Sequence, residues 1–129
     1  MFYLDTSAAV KLVVVERGSK ALRRWLASRD GEIASSDLLR TELLRATRRT
    51  APEQMVQTRA VLDSLILVTL STAVCERAAM LEPHLLRSLD SLHLAAALEL
   101  GDELEGLVTY DRRLAEGAQA LGIGVIAPM

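Results

Sequence analysis

Aromatic side chains are almost missing from this 129-residue chain, at 3% of the residues. A core must therefore be aliphatic, and the hydrophobic half of the sequence supplies Leu, Val, Ile and Ala for it. The length fits one domain, residues 1–129, that needs no staples. Cysteine is nearly absent as well. Cys75 stands alone, which excludes an internal disulfide and agrees with a reducing, cytoplasmic setting. No histidine is close enough in sequence to serve as its base, so Cys75 is expected to be a small buried hydrophobe on a helix. No segment approaches the roughly 20 apolar residues of a membrane span. The apolar N-terminus is interrupted by Asp5 and lacks a basic start and a small-residue cleavage site, which argues against a signal peptide. Lysine is scarce too: apart from Lys11 and Lys20, the fifteen cationic residues are arginines, whose planar fork suits phosphate. The net charge of −2 argues only weakly against nucleic-acid binding and leaves a local basic surface open.

What is present is an alternation of strand and helix patterns. Phe2-Tyr3-Leu4 is a short apolar run ending in Asp5 and reads as a buried parallel strand. Thr6 or Ser7 is positioned to cap a helix running to about Val15. Ser19 to Arg29 is a second helix, Asp30-Gly31 a turn, and Glu32 to Ser35 a brief strand. Ser36 or Asp37 then caps a helix to about Arg49, with Leu39, Leu43 and Ala46 as its apolar stripe. Pro52 opens a helix to about Ser64, and Leu65 to Leu70 is a strand. Ser71 or Thr72 caps a helix that stops near Pro83. Arg87 to Leu100 is apolar on most sides, as a central buried helix would be, and Gly101 closes it. Gly106 to Thr109 is a strand, Asp111 caps a helix ending at Gly122, and Ile123 to Ile126 is a last strand. About five strands alternating with helices imply an α/β fold with a parallel sheet covered on both faces.

Acidic residues in unusual places carry the chemistry. Asp5 ends the first strand and Asp111 follows the fourth, and open parallel sheets bind ligands beyond the carboxyl ends of their strands. Glu42 and Asp90 sit inside largely apolar helix segments, where a charge is costly unless it is paired or metal-bound. Structural roles compete at each position. Asp111 and Asp90 are possible caps, and Glu42 has Arg45 within reach on its own helix. Asp37 is read as a cap only. If the four acids converge, their mutual repulsion and oxygen-only chemistry suit a hard cation such as Mg²⁺ or Mn²⁺. Two such ions can activate a water and stabilise the leaving oxygen in phosphodiester cleavage. Glu42, Arg45 and Arg49 fall on one helical face flanked by Arg40 and Arg48, a possible track for phosphates. Arg112-Arg113 beside Asp111 is a weaker second one. His93, one turn after Asp90, is read as a hydrogen-bonded core histidine in preference to a general base. His84 is read as an exposed loop residue.

With these pieces in place the sequence resembles the PIN-domain family, and within it the VapC toxins of toxin–antitoxin pairs. The resemblance lies in YLDTSAAVKL, SSDLLRTELLRA, LDSLHLAAALELG and LVTYDRRLAEGAQALGIGVIAP, which together span the chain. It implies a three-layer α/β/α sandwich with sheet order 3-2-1-4-5, and a Mg²⁺- or Mn²⁺-dependent endoribonuclease that cuts tRNA or rRNA. By position, Asp5, Asp90 and Asp111 match the family's metal-site aspartates and Glu42 its helix glutamate. Thr6 and Thr109 match polar positions that line the site. The resemblance also implies a homodimer and a VapB-type antitoxin whose tail reaches into the acidic site.

Other readings remain beside this one. A haloacid-type phosphatase wants a second aspartate two residues after its nucleophile, where this chain has Ser7. A receiver domain wants an aspartate on the middle strand, and Leu65 to Leu70 has no acid. A catalytically inactive PIN binding module, or an RNA-processing PIN nuclease without an antitoxin, would share the same fold.

Overall fold

The computed structural model describes residues 1–129. Strand β1 (Phe2–Leu4) lies at the centre of a five-stranded parallel sheet. Its companions are β2 (Ile33–Ser36), β3 (Ile66–Val68), β4 (Gly106–Val108) and β5 (Val125–Ile126), in the order β3-β2-β1-β4-β5. This is the expected 3-2-1-4-5 order. Phe2 stands opposite Ile33 on one side and Gly106 on the other, and Leu4 opposite Val108. Gly106 suits this close pairing: a Cβ there would stand 3.0 Å from the Gly124 carbonyl and 3.1 Å from the Phe2 ring, tighter than ordinary contact.

The two-residue period of a strand sends alternate side chains of β1 to opposite faces. Tyr3 packs among Val74, Leu94, Leu107 and Leu114. Phe2 and Leu4 pack with Ala8, Leu22 and Val108. Helices α5 (Thr72–Ala79), α6 (Ser88–Leu98) and α7 (Arg112–Ala120) cover the Tyr3 face. Helices α1 (Thr6–Val10), α2 (Ser19–Ala27), α3 (Asp37–Thr50) and α4 (Met55–Ser64) cover the other. On that side Ala9, Val13, Leu39, Leu43, Val61 and Leu62 form a second cluster, and Leu12 joins it to the β1 side. The result is a three-layer sandwich. Its central helix is α6, in which His93 and the run Leu94 to Ala97 are all buried. The small side chains Ala95, Ala96 and Ala97 let that helix sit close against its neighbours.

Several local expectations are corrected. Helix α1 stops at Val10 instead of about Val15, because β-branched Val13-Val14-Val15 disfavours further helix. Its cap is Asp5, whose side chain accepts from the Ala8 N–H, and neither Thr6 nor Ser7. Ser36 precedes α3 but makes no side-chain cap bond, since its hydroxyl accepts from Tyr3 instead. Asp37 is the first residue of that helix, not its cap. The third buried position on α3 is Thr47, not Ala46, because Thr47 meets the buried hydroxyl of Thr58 at 2.7 Å. Cys75 is exposed, so it does not serve as a buried hydrophobe. It follows Val74 on α5, and it is Val74 that turns inward. No helix is long and apolar enough to cross a membrane.

Candidate active site

The carboxyl ends of β1 and β4 are adjacent because these strands pair directly. Asp5 leaves β1 there, and Thr109, Tyr110 and Asp111 leave β4. Asp5 is only 3% exposed. Ser7 donates to both its oxygens at 2.8 and 2.9 Å, the Ala8 N–H donates to Oδ1 at 3.0 Å, and Thr109 donates to Oδ2 at 2.6 Å. Burial nonetheless pushes the Asp5 carboxyl above its ordinary range, against the pull of these donors. A carboxylate held this way costs stability.

Asp111 caps α7 and accepts the N–H groups of Arg113 and Leu114 through Oδ1, leaving Oδ2 without a protein partner. The cap expected from sequence is therefore present, and it uses one oxygen only. Asp90 is the third residue of α6, in its first turn, and is not a cap. No protein group donates to its side chain. Its carboxyl is held above the ordinary range by burial first and by the neighbouring Asp111 second, with His93 and two arginines pulling the other way. Asp111 is thus close enough for its charge to act on Asp90.

Glu42 lies on α3 and turns away from Arg45. It forms no ion pair with that arginine; its Oε1 is 2.7 Å from Nε2 of His93 and accepts from the Thr6 hydroxyl at 2.5 Å. Burial raises the Glu42 carboxyl, but the His93 and Thr6 hydrogen bonds outweigh it and hold the group below its usual range. His93 is 4% exposed, and its other nitrogen is 2.8 Å from the Tyr3 hydroxyl. The reading of a hydrogen-bonded core histidine is the one the structure bears out. His84 is exposed, in the segment between α5 and α6.

The structure therefore arranges the four acids differently from the single closed cluster imagined from sequence. Asp5 and Glu42 are held by side-chain donors, while Asp90 and Asp111 lie at the starts of α6 and α7, close enough for the charge of Asp111 to act on Asp90. No three carboxylate, histidine or cysteine side chains stand close enough as they lie to hold one ion. Like charges repel, and each carboxylate that can reach a protein donor takes it instead. The donor chemistry still fits a hard divalent cation. The unpartnered oxygens are all carboxylate oxygens, on Asp90, on Asp111 and at Oε2 of Glu42. No sulfur competes, and the two nitrogens of His93 are already engaged.

The arginines fall in two groups. Arg45, Arg48 and Arg49 are exposed, line an open depression on the later turns of α3, and make no ion pair. Arg112 and Arg113 line a second depression with Asp111 and Glu116. Sequence reasoning missed Ser7, which it took for a possible cap. Ser7 orients Asp5 and also accepts the Tyr110 N–H at 2.8 Å. It missed the Tyr3–Ser36 contact as well. The available signal was Tyr3 itself, the one hydroxyl-bearing aromatic in a strand otherwise read as buried, since a buried tyrosine hydroxyl needs a partner.

A chain with this sheet order, with acids at the ends of β1 and β4 and on two flanking helices, has the architecture of a nuclease-like α/β domain. The PIN domain model matches residues 2–119, and the chain belongs to the PIN-domain family. Within that family its relatives are VapC proteins. Ribonuclease VapC47 of Mycobacterium tuberculosis is 40% identical, over 99% of this chain and 97% of the relative. Ribonuclease VapC46 of the same species is 43% identical over 98% and 96%. Among solved structures, the fold is similar to that of M. tuberculosis VapC20, described as a Sarcin-Ricin loop cleaving toxin. The TM-score is 0.79 at 16% identity, over 99% of this chain and 100% of the other. A chain from a toxin–antitoxin complex of Klebsiella pneumoniae superposes with a TM-score of 0.76 at 22% identity, over 100% of this chain and 98% of the other.

Proposed function

We propose that this chain is a Mg²⁺- or Mn²⁺-dependent endoribonuclease, the toxin of a type II toxin–antitoxin pair, acting on a structured RNA such as tRNA or rRNA. The observation that carries the reading is Asp111, joined through Thr109 to the buried Asp5 and keeping Oδ2 unpartnered, with Asp90 near enough to feel its charge. Relatives called ribonucleases, at 40% and 43% identity over nearly the whole chain, support the activity class. A cognate VapB-type antitoxin, a homodimeric state and a cytoplasmic location belong to the same proposal.

Asp90 and Asp111, with Asp5 and Oε2 of Glu42, would hold the cation. When bound it would supply positive charge for the scissile phosphate and a water made acidic enough to attack it. The chain's own residues do the rest. Thr109 and Ser7 fix Asp5 in one rotamer, so that its carboxyl is oriented before RNA arrives. The capping bonds hold Asp111 at the start of α7. Arg45 and Arg49 on α3, with Arg112 on α7, offer guanidinium forks to backbone phosphates. The net negative charge of the site makes those arginines necessary for attraction of RNA.

The test is incubation of purified protein with total cellular RNA in Mg²⁺ or in EDTA, for wild type and Asp5→Asn. Cleavage only by wild type with Mg²⁺ is expected. Equal cleavage in all four tubes would sink the proposal.

A further inference from the structure

Side chains from five elements make one line of hydrogen bonds that runs from the sheet to the edge of the site. Tyr3 on β1 donates to Ser36 of β2 at 2.8 Å. Nδ1 of His93 on α6 is 2.8 Å from the same Tyr3 hydroxyl, and Nε2 is 2.7 Å from Oε1 of Glu42 on α3. Thr6 on α1 closes the line by donating to that same Oε1. Tyr3 and Ser36 are fully buried, and no buried polar side-chain atom in the protein lacks a partner.

The direction of the last link follows from the chemistry of the partners. An ionised carboxylate only accepts, so Nε2 of His93 must be the donor. Two donors then converge on Oε1, and Oε2 receives none. A free glutamate samples many rotamers, and holding it in one costs conformational entropy. Here that cost is met by folding, because the ring of His93 is itself fixed from behind by Tyr3. A histidine that merely filled the core needs no carboxylate at the rim of a site, and a backbone carbonyl would satisfy it.

We propose that His93 is a positioning residue for Glu42: with Thr6 it clamps Oε1, leaving Oε2 as the oxygen available to the divalent cation, while Tyr3 and Ser36 set the orientation of the imidazole. The inference rests on the cation-dependent reading above and assigns within it a role to a side chain that touches neither RNA nor cation. Outer-shell partners of this kind typically change metal affinity or activity by about 10- to 100-fold.

The experiment measures Mn²⁺ binding by titration calorimetry, RNA cleavage and thermal unfolding on the full chain. The variants are His93→Leu, His93→Gln, Tyr3→Phe, Glu42→Gln and His93→Leu combined with Glu42→Gln. His93→Leu is expected to weaken Mn²⁺ binding and cleavage by about 10- to 100-fold. His93→Gln, which keeps a donor near the Nε2 position, is expected to recover most of that loss. In the Glu42→Gln background, His93→Leu is expected to add no further loss, because the residue through which it acts is gone. Equal losses in both backgrounds, or equal losses in the Leu and Gln variants, would show a structural role only and overturn the proposal. Should His93→Leu fail to fold, Tyr3→Phe decides, since it removes one hydroxyl: weakened Mn²⁺ binding supports the relay and wild-type binding overturns it. A wild-type protein that binds Mn²⁺ but cuts no RNA defeats the ribonuclease reading and leaves the binding comparison to judge His93. No Mn²⁺ binding by wild type defeats both.

Discussion

Thr109 donates its hydroxyl to Oδ2 of Asp5 at 2.6 Å, and the same oxygen of Thr109 accepts the Asp111 N–H at 3.0 Å. One threonine therefore joins the carboxyl ends of the two central strands and orients two of the acids. This contact exists only because β1 and β4, separated by about a hundred residues of chain, are direct neighbours.

The same contact sets the expected behaviour of Asp5→Asn. Burial holds the Asp5 carboxyl above its ordinary value of 3.8. An acid raised in the folded state costs nothing below its unfolded value. Its cost grows as pH climbs from there toward the raised folded value. Asn removes the charge and remains a good helix cap. Thermal unfolding at pH 7 should therefore rise by roughly a few degrees, the gain should shrink at pH 3, and cleavage should disappear. A variant less stable than wild type at pH 7 would contradict this.

Asp90 and Asp111 should report the cation through stability. A ligand that binds only the folded state stabilises by about 2.7 kcal/mol at a hundred times its dissociation constant. Saturating Mn²⁺ should raise the unfolding temperature of wild type. The increment should largely vanish in Asp90→Asn and Asp111→Asn, while Asp90→Asn without metal should be no less stable than wild type, since a repulsion is removed. An undiminished increment in both variants would place the cation elsewhere.

The exposed, unpaired arginines of α3 should act through phosphate. Each contact with a single strand steepens the dependence of log affinity on log salt by about 0.7. Arg45→Ala and Arg49→Ala, measured by RNA binding in an Asp5→Asn background over a salt series, should each lower the slope by about that amount with melting unchanged. Slopes equal to the parent's would remove α3 from the RNA path.

Away from the site, Thr47 and Thr58 meet at 2.7 Å inside the α3–α4 pair: one hydroxyl donates to the other, which is left to donate to its nearby carbonyl, of Leu43 for Thr47 or of Gln54 for Thr58. Thr47→Val should cost about 1–2 kcal/mol in urea unfolding, because the buried Thr58 hydroxyl loses its 2.7 Å partner Thr47. The double change to valine should cost less than the sum of the single ones. Strict additivity would mean the two hydroxyls do not couple.

Much of the fold was legible because it depends on local chemistry. Phe2-Tyr3-Leu4 and Gly106-Leu107-Val108 are short apolar runs bounded by polar residues, and each is a strand. The alanine-rich stretch after His93 reads as a buried helix and is one. Errors fall where a side chain has more than one possible partner. Ser36 had the spacing of a cap, but the Tyr3 hydroxyl claims it from another strand. Glu42 had Arg45 on its own helix, but His93 from the opposite layer takes it. Cys75 was assigned to the core from residue type, and a rotation of one position around α5 leaves it outside.

The sequence by itself determined the alternation of strands and helices, because apolar periodicity and capping residues act over a few positions. It also marked Asp5, Glu42, Asp90 and Asp111 as costly choices, since a charge among apolar neighbours is visible without coordinates. Only the tertiary structure decided what each acid touches. Strand pairing brings Thr109 to Asp5, and the meeting of two helix layers at the sheet's edge brings His93 to Glu42. Hydrogen bonds reach about 3 Å, and which groups come within that reach depends on packing between elements far apart in the chain.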